Sequence, residues 1–357
     1  MNLGGEDIAM SSSAQANPSA RQPSSETYME TFESHGDIPQ ARFGHTITVV
    51  HKTKVVLFGG AMGDTGRYQM TGETYLYNIL TKTWKKLDIK GVPPSPRAAH
   101  SSTNVEQMQM VVYGGASGGG SLASDDLYLL DMRNGEEVAQ WMIVPVVGAT
   151  PGRRYGHSII FLKPQLLVFG GNTGNGPSND VWCLSVERAP FSWSRLDCGK
   201  ESPSVRDYHS SALCHQGAAS GMMVVFGGRG GDQASLADTW GLRRHRDGRW
   251  DWVSAPYKNG ESPTPRYQHS TLFLGAVMLV IGGRASQVGQ GLPLEVYDTE
   301  SSEWSKFKSI SRFRHSSWPM DTHVYVHGGF EHDTPNIPID AIDRIDVNML
   351  FQNFPGL

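Results

Sequence analysis

The 357-residue sequence has only three cysteines, few charged residues and no long apolar segment. Cys183, Cys198 and Cys214 show no paired metal-binding spacing, which argues against a disulfide framework or a structural zinc site. No apolar run approaches the roughly 20 residues of a membrane helix, and no signal peptide opens the chain, so we expect no membrane insertion. The expected location is the cytoplasm, with the nucleus left open as a second compartment.

Charged residues make up 18% of the chain, and the formal net charge is −4. With a pI near 6.3, this balance indicates no nucleic-acid-binding surface. Glycine is abundant instead, with 41 residues, and 38% of the residues are hydrophobic. This mixture favours many short strands joined by glycine-rich turns over long helices.

Two regions differ in composition. Residues 1–26 are rich in Ser, Pro, Ala and Gln and have almost no large apolar side chains, which predicts a flexible tail. From Pro39 onward, a unit of roughly 50 residues repeats six times. Its diglycines are Gly59/Gly60, Gly114/Gly115, Gly170/Gly171, Gly227/Gly228, Gly282/Gly283 and Gly328/Gly329. The repeats predict a second domain over residues 27–354, with units starting near residues 39, 95, 151, 203, 263 and 311.

Each unit follows the same order of apolar and polar segments. An apolar strand precedes the diglycine, and a polar loop, a strand with an aromatic residue and an outer strand follow it. The outer strands carry Trp84, Trp141, Trp193, Trp252 and Trp304. Four short antiparallel strands form a twisted blade that cannot bury both faces alone, whereas six blades in a ring can. The predicted fold class is therefore an all-β, six-bladed β-propeller.

The diglycine, the aromatic residue and the spaced tryptophan together resemble the kelch repeat, whose blades form β-propellers. The resemblance extends from about Pro39 to Val347 and recurs in all six units. The last unit departs from it, because little room remains for a tryptophan strand after Asp346. By analogy with similar propellers, we expect the N-terminal "TYMETF" to supply the outer strand and close the ring. The alternative is that Met349 to Phe354 completes the blade.

Every unit opens with the motif Arg-x-x-His. Its arginines are Arg42, Arg97, Arg154, Arg206, Arg266 and Arg312. Because the first two strands of a blade are antiparallel, the arginine and the diglycine should lie on one face of the ring. We predict that the six arginines, with Arg229 and Arg284 after their diglycines, bind an anionic protein segment there. In kelch domains that act as substrate adaptors, arginines in this position contact acidic peptides, and the resemblance implies the same role here.

A structural explanation of the motif stays open. Each arginine could pair with an acidic residue or carbonyl of a neighbouring blade, and each histidine could bond a loop carbonyl. Loop residues that vary between units would then determine specificity. The candidates are Tyr68, Asn172, Arg229, Arg284 and Phe330.

Three histidines near the end of the chain suggest a metal site. His323 and His327 lie four residues apart on a predicted strand, and His332 follows. However, His327 occupies a position that is Phe, Tyr or Ile in the other units, which favours a packed histidine. We therefore predict no metal and no cofactor in this chain.

The stretches "APFSWSRL", "SPTPRYQHS", "VYDTESSEW" and "HVYVHGGFE" are similar to the N-terminal kelch domain of Ser/Thr protein phosphatases with kelch-like repeats, a type found in plant brassinosteroid signalling and in protists. The resemblance implies a propeller that recruits phosphoprotein substrates or other partners to a tethered phosphatase domain with two metal ions, or regulates that domain. The 357 residues contain none of the phosphatase signatures, so no catalytic residue is assigned. An adaptor of another complex, such as a ubiquitin ligase, and a metal-dependent propeller enzyme remain alternatives.

Overall fold

A computed structural model describes residues 28–258, 260, 262–286 and 291–352. The predicted flexible tail, residues 1–26, lies outside this range. Strands dominate the described residues, accompanied by a 3-10 turn at Gly217–Ala219 and an α-helix at Val347–Gln352. Nowhere in the described part does a helix reach the length and apolarity needed to cross a membrane.

The strands form six antiparallel blades, as the repeats predict. From the inner to the outer strand, blade 1 consists of Thr46–His51, Lys54–Phe58, Thr74–Asn78 and Thr83–Lys86. Blade 2 consists of Ser101–Glu106, Gln109–Tyr113, Tyr128–Asp131 and Val138–Ile143. Blade 3 consists of Ser158–Leu162, Gln165–Phe169, Val181–Ser185 and Trp193–Arg195.

The second half of the ring has the same architecture. Blade 4 consists of Ser210–Leu213, Met223–Gly230, Ser235–Arg244 and Trp250–Ser254. Blade 5 consists of Ser270–Leu274, Val277–Ile281, Leu294–Asp298 and Glu303–Phe307. Blade 6 consists of Ser316–Met320, His323–His327, Ile342–Asp346 and Met29–Phe32.

Additional short strands flank three of the blades. His35–Gly36 and Asp88–Gly91 extend blades 1 and 2 outward by parallel pairing. Arg42–Phe43, Ala61–Asp64 and Arg67–Met70 form a small sheet above blade 1. Ala116–Gly118 and Ser121–Leu122 form a hairpin above blade 2, and Arg206–Asp207 pairs with the end of a long strand in blade 4.

The N-terminal strand closes the ring. Met29 and Phe32 lie opposite Ile345 and Ile342, so the first described strand is the outer strand of the last blade. This confirms the predicted closure. The alternative that Met349 to Phe354 completes the blade is wrong, because residues 347–352 form a helix.

Aromatic contacts fill the interfaces between blades. Each outer-strand tryptophan packs against the last ring of the second strand in the preceding blade. The ring-centre separations are 5.0 Å for Phe58–Trp141, 5.8 Å for Tyr113–Trp193, 5.0 Å for Phe169–Trp252, 5.5 Å for Phe226–Trp304 and 5.4 Å for His327–Trp84. The repeated aromatic positions therefore serve the core, because each blade buries its face against the next one.

Candidate partner-binding site

The six repeat arginines lie inside the protein at one end of the channel. Each is at most 1% exposed, and its Nη1 donates to the carbonyl of the first glycine of the diglycine in its own blade. These N–O distances lie between 2.8 Å for Arg154 and 3.1 Å for Arg42. The arginine and the diglycine thus share one face of the ring, as the antiparallel order predicts.

Carboxylates of the same blade neutralise five of these arginines. The pairs are Arg42–Glu73, Arg154–Asp180, Arg206–Asp238, Arg266–Glu295 and Arg312–Asp343. The Arg154 guanidinium holds the pKa of Asp180 at about 2, although burial of that carboxyl works in the opposite direction. Arg97 instead lies 5.1 Å from the Tyr128 ring centre, and burial lowers its pKa.

The backbone of each repeat arginine links its blade to the preceding one. Its carbonyl accepts a hydrogen bond from the second glycine of the preceding diglycine, for example from Gly115 to Arg154 at 2.7 Å and from Gly329 to Arg42 at 2.8 Å. The expectation that each arginine side chain pairs with a neighbouring blade is therefore wrong. The side chain binds carboxylate and carbonyl groups of its own blade, and the backbone carbonyl of the arginine bonds the preceding blade. Each of the six arginines is at most 1% exposed and bonds groups of its own blade, so the geometry supports a structural role for their side chains.

The repeat histidines are buried below the arginines. His100 bonds Thr46, His209 bonds Ser158 and His315 bonds Ser270, each from Nε2 to a hydroxyl of the preceding blade at 2.8–2.9 Å. Burial, and then the charge of the neighbouring arginines, lowers the pKa of these three histidines to about 3. They are neutral, and their Nε2 atoms bond hydroxyl groups, whereas Nε2 of His269 lies 3.2 Å from the carbonyl oxygen of Phe226 and bonds it.

The proposed histidine cluster of blade 6 does not converge. His327 is fully buried in the aromatic position, with Nδ1 3.0 Å from His45 Nε2, while His332 bonds Ser311. Within the described ranges, no three His, Cys, Asp or Glu side chains come together as metal ligands.

A closed ring of six backbone hydrogen bonds surrounds the channel mouth. We call it the collar; its members are the third residues of the motifs, Gly44, Ala99, Gly156, Tyr208, Gln268 and Arg314. Each N–H donates to the carbonyl of the member in the preceding blade, and Gly44 closes the ring on Arg314, with N–O distances of 2.8–3.0 Å.

All six collar residues have φ between 52° and 64°, a conformation unfavourable for residues other than glycine. Ala99, Tyr208, Gln268 and Arg314 adopt it because the ring satisfies six backbone donors at once. The collar therefore holds its side chains in one defined orientation.

The collar forms the floor of a cavity of about 290 Å³ at the channel mouth. Phe43, Tyr68, Met70, Ala98 and Ala116 of blades 1 and 2 form an apolar wall. Tyr208, Gln268 and Arg314 of blades 4, 5 and 6 lie on the other side. The cavity is thus amphipathic, with apolar side chains on one side and polar ones on the other, and the repeat histidines of all six blades also border it.

Arginines alternate with aromatic rings around blades 4 to 6. Arg229 lies 5.4 Å from the Tyr208 ring centre and 5.7 Å from that of Tyr267, and Arg284 lies 5.1 Å from both Tyr267 and Phe313. Such contacts favour a desolvated guanidinium beside the ring faces. Burial lowers the pKa of Arg284.

The predicted loop residues occupy different positions at this mouth. Tyr68 is 46% exposed and borders the cavity, whereas Phe330 is only 1% exposed and packs between Phe43 and Phe313. Asn172 and Arg229 both bond the buried Asp207, which ties blade 3 to blade 4.

Tyr208, Gln268 and Arg314 were not among the site residues predicted from the sequence. A signal for them existed, since the third position of the motif differs from unit to unit while its arginine and histidine do not. A position whose residue type varies while its neighbours stay constant is expected where a repeated scaffold carries a specific binding site.

Comparison with known proteins agrees with this fold. The profile of the KLHDC2/KLHL20/DRC7 Kelch-repeats domain matches residues 23–138 and 136–329. The Arabidopsis thaliana serine/threonine-protein phosphatase BSL2 is 34% identical over 278 residues, which cover 72% of this chain and 26% of that protein. This finding confirms the predicted resemblance to kelch domains of Ser/Thr phosphatases.

Other relatives share the same region. Adagio protein 3 of Arabidopsis thaliana is 29% identical over 70% of this chain, and host cell factor of Drosophila melanogaster is 29% identical over 75%. The chain spans 40% of the former and 18% of the latter. All three relatives are thus much longer than the part that they have in common with this chain.

Proposed function

Because the chain belongs to the kelch-repeat family, we propose that it is a non-catalytic protein-interaction propeller whose binding site is the channel mouth. The observation that carries this proposal is the amphipathic cavity, in which a rigid collar presents different side chains from different blades. The side chains of the six repeat arginines stabilise their own blades and their backbone carbonyls link neighbouring blades, which leaves partner contact to residues such as Tyr68, Arg284 and Arg314.

We further propose that the propeller serves a Ser/Thr protein phosphatase, as the similarity to BSL2 suggests. In that setting it recruits phosphoprotein substrates or other partners to a tethered catalytic domain, or regulates that domain. The metal ions of catalysis belong to that domain, and the propeller itself needs no cofactor. A cytoplasmic location, with the nucleus as a second compartment, is part of the same proposal.

Affinity capture followed by mass spectrometry tests the interaction function. The full chain serves as bait beside a double variant at the mouth, Tyr68→Ala with Arg284→Gln, and beside Leu80→Ala as the control. Leu80 is 74% exposed in the turn between the third and fourth strands, at the opposite end of the blade. We expect the parent and the control to capture the same proteins and the mouth variant to lose them.

Two results would contradict the proposal. Full retention of partners by the folded mouth variant would place the interface elsewhere, and the absence of any reproducible partner would remove the interaction function. Treating the lysate with a phosphatase beforehand tests whether phosphorylation matters for recruitment. Recovery of ubiquitin-ligase subunits instead of phosphatase-related proteins would favour the adaptor alternative.

A further inference from the structure

We infer that the propeller has a second binding site, a cleft between blades 2 and 3 that receives the apolar face of an amphipathic helix from a partner protein. The cleft includes the connections at Lys163 and Glu187, which lie at the end of the blade opposite the channel mouth. The inference goes beyond the proposed function, because the residues of the cleft are separate from those of the channel mouth.

The cleft is large and apolar. Its volume is about 540 Å³, and blade 2 forms one wall with residues such as Val111 and Leu129. Blade 3 forms the other wall with Phe161, Leu184 and Phe191. Voids larger than a water molecule are rare in packed proteins, because the atoms along their walls lose van der Waals contacts. Filling the cleft with apolar groups is therefore favourable.

The interface between blades 1 and 2 shows why the cleft is open. Strand register and backbone hydrogen bonds align consecutive blades, so that the pair Gln109–Asp131 of blade 2 corresponds to Gln165–Ser185 of blade 3. By this alignment, the first interface has larger side chains than the second. Leu87, Met108 and Met132 of the first interface correspond to Val144, Pro164 and Val186 of the second. The first three are at most 9% exposed, whereas their smaller equivalents are only half-buried.

Blade 3 also lacks a backbone donor at its interface with blade 2. The N–H of Met108 donates to the carbonyl of Val50 in blade 1, with an N–O distance of 2.9 Å. Pro164 occupies the equivalent position in blade 3 and has no N–H to donate. Phe191 is larger than its equivalent Ala139, yet the cavity remains beside it. The cleft is therefore a property of blades 2 and 3 and not of the repeat itself.

The long polar side chains that border the cleft already have partners. Nε2 of Gln109 donates to Asp131 at 2.9 Å, and Nζ of Lys163 lies 3.1 Å from the Glu106 carboxylate. An extended peptide in the cleft would therefore bury backbone groups without hydrogen bonds, which is unfavourable. An α-helix satisfies its backbone internally and presents only side chains, so a helix fits these walls.

The dimensions and the charge of the cleft define this helix further. Val105, Val111 and Leu129 lie on the first three strands of blade 2, and Val144 follows the fourth, so the apolar wall extends for about 14 Å. Apolar side chains at helix positions i, i+4 and i+7 extend over about 10 Å, which matches this length. Glu187 borders the cleft, and among the described residues no cation forms an ion pair with it. The helix therefore carries Lys or Arg beside its apolar face.

Fluorescence anisotropy with designed peptides tests the inference on the full chain. The lysine peptide is a labelled, amidated 15-residue helix of alanine and glutamine, with leucine at positions 4, 8 and 11 and lysine at positions 5 and 12. One control peptide distributes the leucines around the helix, a second has proline at position 9, and a third has glutamate in place of both lysines. We expect the lysine peptide to bind at least tenfold more tightly than the first two controls and several-fold more tightly than the third.

Variants connect the binding to the cleft. Val186→Met gives blade 3 the side-chain type that blade 2 has at Met132, so it should fill the cleft and weaken binding of the lysine peptide at least tenfold. Val92→Met is the matched control, because Val92 is 54% exposed and lies outside the lining of the cleft. Glu187→Gln should reduce the preference for lysine over glutamate to less than twofold, because it removes the unpaired carboxylate.

Several results would overturn the inference. Equal binding of the lysine peptide and the peptide with redistributed leucines would do so, and so would binding that Val186→Met leaves unchanged. A dimer in sedimentation velocity that Val186→Met dissociates would assign the cleft to a second copy of the chain. Uptake of Nile red without peptide binding would assign it to a small apolar molecule. If Val186→Met does not fold, Val144→Leu supplies the same test, because it introduces the side-chain type of Leu87.

The mouth variant separates this inference from the proposed function. Tyr68→Ala with Arg284→Gln should bind the lysine peptide as tightly as the unmodified chain, because neither residue lines the cleft. Loss of captured partners by that variant reports only on the channel mouth, whereas Val186→Met reports only on the cleft. Each of the two proposals can therefore fail while the other stands.

Discussion

Mild acid should destabilise this propeller because seven histidines are buried in neutral form. They are the six histidines of the Arg-x-x-His motifs and His327, and each is at most 8% exposed. Burial, together with nearby arginine or histidine charges, lowers their pKa values, to about 3 for His100, His209, His315 and His327. His45, His157 and His269 are also lowered well below the ordinary value.

The direction of the effect follows from proton binding. In the unfolded chain, each of these histidines takes up a proton near pH 6.5. In the folded state each stays neutral well below that pH, down to about pH 3 for His100, His209, His315 and His327. The unfolded state therefore binds more protons below pH 6.5, and the free energy of unfolding falls as the pH falls. Above about pH 7.5 this contribution is constant.

The size of the effect can be worked out from the linkage relation. Between pH 7.5 and pH 6.0, each histidine lowers the free energy of unfolding by about 0.8 kcal/mol, and the seven together by about 5.6 kcal/mol. Domains are typically stable by about 5–15 kcal/mol, so this loss is large. Asp180 adds nothing in this window, because with its pKa near 2 it loses its stabilising charge only in stronger acid.

Urea unfolding followed by tryptophan fluorescence at the two pH values measures this loss. We expect the midpoint to decrease at pH 6.0 with an unchanged slope. His157→Asn should reduce the difference by about 0.8 kcal/mol relative to the parent, because one proton-binding site is removed. His215→Asn is the control, since His215 is exposed. A difference below about 1 kcal/mol in the parent would refute the reasoning.

Three further predictions concern the scaffold. Arg154→Met should lower the free energy of unfolding by about 3–5 kcal/mol in urea titrations, because a buried ion pair loses one partner, while Arg249→Met should have little effect. Equal losses in both variants would contradict the structural role of the Arg154 side chain. Gly114→Ala should prevent stable folding, as judged by circular dichroism, because a Cβ there would lie 2.5 Å from the carbonyl oxygen of Arg154 in the following blade. A native-like melting temperature of the variant would contradict this prediction. Deletion of residues 1–33 should lower the melting temperature because it removes the closing strand Met29–Phe32, whereas deletion of the predicted flexible tail, residues 1–26, should not. Identical melting temperatures of the two truncated proteins would contradict closure by this strand.

The propeller architecture was predictable because its signals are local and repeated. A diglycine after each second strand and a tryptophan in most outer strands mark the same interface six times, and the structure places Phe58 against Trp141 and Phe169 against Trp252 accordingly. The closing strand was also predictable, since the last unit lacks an outer strand of its own.

The role of the repeat arginines was not predictable in the same way. An arginine beside a diglycine indicates position, but its exposure depends on whether carbonyl and carboxylate groups surround it. Arg266 shows this dependence, because it lies among the carbonyls of Gly282 and Pro293 and the carboxylate of Glu295, all brought to it by the fold. This environment supports a structural role for such residues, and their binding of a partner stays a prediction.

The sequence by itself determined the number of blades, their strand order and the face that carries the motifs, because each of these depends on a repeated local pattern. Only the tertiary structure decided which side chains reach the channel mouth. The collar brings together Tyr208, Gln268 and Arg314 from three different blades, more than 100 residues apart from first to last. Their left-handed backbone is stabilised by the hydrogen bonds that close the ring, and no single repeat contains that information.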